Sequence, residues 1–213
     1  MLLKTGGRRT RKRLWASIVQ SKLRQQAAVL VEVGAAPAVL LRLADKVKSG
    51  DSENAEAQGA RHYWPQLMGS MFRRDQQGDG VNAMLNYGYT VLRAATARAV
   101  VAAGLHPSLG LHHSHDNNAM RLVDDLMEPF RPVVDWSVWQ LQSLGLCSVN
   151  ADTKRALVQS MYLDLKTDAG TTPVMVAVQK LATSLAQVMV GDRQRLDFPY
   201  PGVPTSQASE TDG

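Results

Sequence analysis

The sequence predicts an all-α protein. Three observations carry that prediction. Apolar residues recur every three to four positions through most of the chain, no stretch of useful length alternates in the manner of a strand, and Pro, Gly, Asp and Ser fall where helices start and stop. With 213 residues, 45% of them hydrophobic and 20% charged, the chain is long enough for a well-buried core.

Taken in order, residues 1–10 are glycine-containing and basic and read as a flexible leader. From Arg11 to about Val33, Leu14, Trp15, Ile18, Val19, Leu23 and Leu30 recur at helical spacing, which predicts an amphipathic helix with its basic residues on the wet side. A second helix is expected from Pro37, a favourable first-turn residue, to about Ser49–Gly50. Asp51 or Ser52 is the expected cap of a third, which Pro65 should kink or stop. Gly69–Gly80 is a polar connection, after which Asp79 caps a long helix ending at Gly104. Gly88 inside that helix costs about 1 kcal/mol relative to alanine, so it predicts close approach by another helix or a ligand, core packing being the simpler. A histidine-rich loop, an acidic helix bounded by Pro129 and Pro132, and three further periodic segments complete a helical domain over 11–190. Trp136 and Trp139 read as core, and residues 191–213, rich in proline and small polar types, as a disordered tail.

Charge is uneven. Residues 1–31 carry eight basic side chains and no acid, a local +8 against +5 for the whole chain, so the remainder is mildly acidic at −3. Such a block suits contact with phosphates, the main source of sequence-independent affinity for nucleic acid, and equally suits a solvated leader. The lone Cys147 excludes an intrachain disulfide and a thiolate zinc cluster; in the context LGLCSV it reads as a buried small hydrophobe. No secretory signal is visible, and the most apolar stretch, Ala27–Ala44, is interrupted by Glu32, Pro37 and Arg42. A cytoplasmic protein without a membrane partner is expected. GGRRTRK lacks the spacing of a phosphate-binding loop, and no GxSxG elbow is present.

Chemistry concentrates in Gly104–Asp135. His112, His113 and His115 precede Asp124, Asp125 and Glu128, and Asp125 and Glu128 stand three apart, which puts both on one helix face. Hard oxygens with one nitrogen favour magnesium or manganese over zinc. The same acids would also stabilise a helix dipole, and a loop histidine is ordinarily just solvated.

Four blocks then identify a family. KRLWASIVQSKLRQQAAVL (12–30), ENAEAQGARHYWPQL (53–67), NAMLNYGYTVLRAATARAVVAAGLHPSLGLHH (82–113) and RLVDDLMEPFRPVVD (121–135) run in the order found in the CRISPR-associated spacer-acquisition integrase, a metal-dependent DNA endonuclease. The sequence resembles most the version of type II systems, and LNYGY, G-L-x-P-x-x-G-x-x-H and DLMEPFRP are specific as a set.

The resemblance implies a metal-binding triad of Glu56, His113 and Glu128 around Mg2+ or Mn2+, with Asp125 as a secondary ligand or orienting group. It implies transesterification in which the 3′-hydroxyl of a captured DNA fragment attacks at a CRISPR repeat boundary. Double-stranded and branched DNA would be the substrates, with a small CRISPR-associated partner protein, a homodimeric assembly and a prokaryotic cytoplasm. Arg61 and Arg131 become candidate phosphate contacts, alongside Arg11, Arg13 and Lys22 of the basic segment. Family members carry a β-rich N-terminal domain ahead of the helical catalytic one. This sequence starts at about the first catalytic helix, so that domain is expected to be missing, and a non-catalytic helical DNA-binding module is the alternative reading.

Overall fold

Two helices act as spines, and a short acidic segment joins them. The first is α1 (Arg8–Glu32), in a computed structural model that describes residues 7–112 and 118–205. Leu14, Trp15, Ile18, Val19, Leu23 and Leu30 form its buried face, as the spacing predicts, and Ile18, Leu23 and Leu30 are fully enclosed. Each contributes roughly 1.5–3 kcal/mol through burial. The helix starts at Arg8, so three residues assigned to the flexible leader are helical.

Against α1 pack α2 (Ala38–Lys46) and α3 (Ala55–Met68). Gly59 sets the approach of α3: a Cβ there would meet Leu23 Cδ2 at 2.3 Å. Pro65 neither stops nor ends α3, which continues to Met68. The carbonyl that it leaves unbonded, four residues back, belongs to exposed Arg61, where water can satisfy it.

The second spine is α4 (Val81–Ala102), packed against α5 (Arg121–Met127), α6 (Arg131–Ser143), α7 (Ala151–Gln159) and α8 (Val174–Val190). Gly88 is a point of contact with α6, since a Cβ there would lie 2.4 Å from Val134 Cγ1. The glycine therefore serves core packing. Between α5 and α6 the chain makes a 3-10 turn, Glu128–Phe130, which packs against α1 while α5 and α6 both pack against α4. Glu128 is thereby carried to the junction of the two halves.

Four expectations are corrected. Asp164–Thr167 (β1) and Gly170–Pro173 (β2) form an antiparallel hairpin where helix was expected, in an otherwise helical fold. Residues 192–205 of the expected disordered tail are docked: Gln25 Nε2 donates to Tyr200 O, Gly202 N donates to Gln25 Oε1, and Thr205 pairs with Asp164. Residues 206–213 lie outside the described residues. Cys147 is exposed, because the turn after α6 runs over the surface. Trp136 and Trp139 are only half-buried and stack on each other with centroids 5.1 Å apart.

Candidate functional site

Glu56 owes its position to the start of α3. The Asp51 carboxylate accepts the backbone N–H of Ala55 at 2.7 Å and of Glu56 at 3.1 Å, and the Asn54 side chain accepts from Ala57. These bonds satisfy orphan donors of the first turn and orient it. Asp51 thus does the capping work expected of it, with Asn54 as the formal cap residue. Glu56 itself remains part-exposed, its side chain 29% accessible, whereas that of Glu128 is 5% accessible.

The two carboxylates converge on one cation. Lys22 Nζ lies 2.6 Å from Glu56 Oε1 and 2.5 Å from Glu128 Oε2. Two oxygens this close to one nitrogen flank a single cation position. Residues 34 and 106 positions away from Lys22 have therefore been brought to a single point. Lys22 is buried on the inward side of α1, not on its wet side as its charge had indicated. Burial works against its charge, but Glu128 and Glu56 outweigh burial and hold the ammonium above its ordinary pKa.

Arg131 braces the second carboxylate. Its Nε stands 2.8 Å from Glu128 Oε1, an ion-pair distance although the N–H is not aligned for a hydrogen bond. Its guanidinium also lies over the Tyr89 ring, 4.7 Å from the centroid. Desolvation opposes its charge and is overcome by Glu128, Tyr89, Asp135 and Glu56, so Arg131 is firmly protonated. Behind it, the Tyr89 hydroxyl donates to Asp135 Oδ1, and the Tyr63 hydroxyl faces the same carboxylate without good hydrogen-bond alignment. Burial pushes Asp135 up to about 7, against the pull of Tyr89, Tyr63, Lys22 and Arg131.

Asp125 and Glu128, three apart, do different jobs. Asp125 is fully buried and its Oδ2 accepts the backbone N–H of Leu111 at 2.6 Å and of His112 at 3.2 Å. It holds the loop immediately before His113, which itself lies outside the described residues, as does His115. The ring of His112 stacks on Trp15 with centroids 4.4 Å apart and planes 3° from parallel. Asp124 turns elsewhere, paired with Arg93 at 2.6 Å and accepting from Asn118. Among the described residues no group of three or more His, Cys, Asp and Glu side chains gathers at one point; His113, the third member of the expected triad, is not among them.

The remaining predicted contacts lie on separate surfaces. Arg11 lines a cleft of about 500 Å³ with Arg8, Lys12, Arg121 and His112. Arg13 lines a different groove, with Arg24 and the docked segment at Arg195. Arg61 is exposed beside Trp64, Arg73 and Arg74. The role of Lys22 was missed by spacing, although a signal existed: it follows Trp15 by two helical turns, on the buried stripe. The Asp135–Tyr89 pair was missed as well, and LNYGY marked only its tyrosine.

These features define a helical domain that assembles two carboxylates, drawn from distant segments, around one cation position beside basic clefts. The family described as CRISPR associated protein Cas1 matches residues 6–156, and the chain belongs to that family. It is 36% identical over 197 residues to the CRISPR-associated endonuclease Cas1 of Neisseria meningitidis, covering 91% of this chain and 64% of that protein. A second Cas1 endonuclease of Pyrobaculum aerophilum is 43% identical over 90 residues, covering 41% of this chain and 30% of that protein. The chain thus spans less than two thirds of the length of these curated relatives. Among solved structures, a casposase bound to integration product superposes with TM-score 0.74 at 22% identity, over 88% of this chain and 63% of that one. A Cas1 protein from Thermotoga maritima superposes with TM-score 0.73 at 15% identity, over 85% and 66% respectively. At those identities the likeness shows the fold. No helix among the described residues is long and apolar enough to cross a membrane.

Proposed function

We propose that this chain is the helical catalytic part of a DNA endonuclease and integrase of CRISPR adaptation, with Glu56, His113 and Glu128 holding a catalytic Mg2+ or Mn2+. The observation that carries the reading is the convergence of Glu56 and Glu128 on one cation, the Lys22 ammonium at 2.6 and 2.5 Å. That ammonium is a stand-in cation, and two hard carboxylate oxygens suit a hard divalent ion.

When bound, the ion would supply Lewis-acid stabilisation of charge developing on a phosphate oxygen. The chain's own residues do the rest. Asp125 fixes the chain at Leu111 and His112, immediately before His113, through two backbone amides. Asp51 sets the turn that presents Glu56. Arg131 holds Glu128 Oε1 in place and keeps its positive charge. Basic side chains of the Arg11 cleft, and Arg61 on α3, bind the DNA backbone outside the centre. Transfer to a 3′-hydroxyl exchanges one phosphodiester for another, so no external energy source is required. Relatives of known structure support assembly with partners: one solved neighbour is a Cas6-RT-Cas1–Cas2 complex. We assign this chain the same kind of small partner protein and a homodimeric assembly.

The test is cleavage and strand transfer on branched DNA carrying a CRISPR repeat boundary, with Mn2+ or Mg2+ and with EDTA. Activity should require the metal and vanish in Glu56→Gln, His113→Ala and Glu128→Gln. Equal turnover in EDTA would refute the reading. DNA affinity that is salt-sensitive yet indifferent to all three substitutions, with no turnover, would leave a non-catalytic DNA-binding module.

A further inference from the structure

We infer that Lys22 is a place-holder for the divalent ion: its ammonium neutralises Glu56 and Glu128 until the metal arrives, and the metal displaces it into the adjoining polar cavity. The inference rests on the proposed metal site and adds to it a residue that the site must move before it is loaded.

Geometry carries the argument. The nitrogen at 2.6 and 2.5 Å from the two carboxylates sits between them, so an ion bound by both oxygens and the ammonium would compete for one volume. Two carboxylates at the junction of the halves, one of them nearly enclosed, are costly without a counter-charge, which gives the ammonium its task. Lysine is suited to leave. Its charge is compact and rides on a flexible four-carbon stem, unlike the rigid planar fork of arginine. The neighbouring Arg131 is held differently, by Glu128 Oε1 and over the Tyr89 ring, so it is not the mobile partner.

A destination is built beside it. A cavity of about 180 Å³ opens at Lys22 and is lined by Gln26, Trp64, Arg74, Arg131 and Asp135 among others. Gln26 is 2% exposed, yet its Oε1 makes no hydrogen bond. Buried acceptors are rarely left unbonded, and this one lies one helical turn from Lys22, on the same face. A displaced ammonium turning into the cavity gains Gln26 Oε1 as an acceptor. Asp135, on the same cavity wall, offsets part of the repulsion from Arg74 and Arg131 that the ammonium meets there.

Two measurements on the whole chain test this. The first is Mn2+ binding by calorimetry for wild type, Lys22→Met and Lys22→Gln, with circular dichroism checking the fold. Freed from competition, both variants should bind Mn2+ at least about tenfold more tightly, or about 1.4 kcal/mol. The second uses wild type alone and follows amine labelling at Lys22 by mass spectrometry. An ammonium clasped by two carboxylates should label slowly, and saturating Mn2+ should accelerate Lys22 several-fold while Lys48 and Lys180 are unchanged. Folded variants that bind Mn2+ no more tightly than wild type, or labelling of Lys22 insensitive to Mn2+, would overturn the place-holder and leave the metal site standing. If neither wild type nor the Lys22 variants bind Mn2+, the metal site fails and the place-holder with it.

Discussion

Replacing Asp125 by alanine removes the anchor of the loop that runs to His113. Its Oδ2 accepts the Leu111 amide at 2.6 Å and the His112 amide at 3.2 Å. Asp125 is fully buried and Leu111 is 9% exposed, so the amide at 111 finds little water once the carboxylate is gone. A hydrogen bond to a charged group contributes about 1.5–3 kcal/mol. His112 is exposed, and its amide recovers a water partner, which reduces that bond to about 0.5–1 kcal/mol. The loop should therefore open more easily by about 2–4 kcal/mol in Asp125→Ala. At about 1.4 kcal/mol per tenfold, amide exchange at Leu111 should accelerate by roughly 30- to 1,000-fold. Asp125→Asn keeps an acceptor oxygen and should show only the low end. Hydrogen exchange resolved to residues 105–112 reads this directly. Unaltered protection at Leu111 in the alanine variant would refute the anchor role. So would an asparagine variant that loses Mn2+ binding with Leu111 still protected, because Asp125 would then act as a ligand rather than a support.

Gly88→Ala should destabilise the protein by up to about 2 kcal/mol in urea denaturation: overpacking against Val134 at 2.4 Å costs about 1–3 kcal/mol, and the better helix propensity of alanine returns about 1. Adding Val134→Ala should recover part of the loss, and strict additivity of the two changes would exclude the contact as its cause. Asp135 predicts a pH dependence. Its pKa is about 7 when folded against 3.8 for the free group, so between those values the native state holds the extra proton. This contribution to stability is fully present below about pH 4 and is lost as pH rises through 7, with a ceiling on the order of 4 kcal/mol. Asp135→Asn should flatten the fall in unfolding free energy between pH 5 and 8; an unchanged slope would assign the titration to another group.

Regular helices were legible because their information is local. The stripe from Leu14 to Leu30 and the interruption at Gly88 each state their purpose within a few turns of chain. The hairpin was not legible, since Asp164–Thr167 and Gly170–Pro173 are four residues each, too few for a period to show. The docked tail was hidden for another reason. Its attachments include backbone groups of Tyr200 and Gly202 that meet Gln25 and the pairing of Thr205 with Asp164, and composition carries no trace of such long-range bonds. At the site, the family pattern named Glu56 and Glu128, and physical spacing alone pointed to Asp125 with Glu128. Spacing did not separate their roles because it assumes a continuous α-helix. The chain instead tightens into a 3-10 turn at Glu128, and the two carboxylates then face different neighbours. By charge alone Lys22 is a surface residue. The acids that draw it inward come from other segments, a non-local fact that helical periodicity cannot encode.

The docking of residues 192–205 has a mechanical side. Gln25 grips Tyr200 and Gly202, and it stands one turn from Lys22 on a helix whose rise of about 1.5 Å per residue keeps neighbouring groups at fixed spacing. Trp15, two turns back, carries the His112 stack on the same rod. A tug at the end of the chain would be felt along that rod at the cation position and at the histidine loop together. Cutting the strap before Tyr200 should therefore loosen parts of the molecule that it never touches.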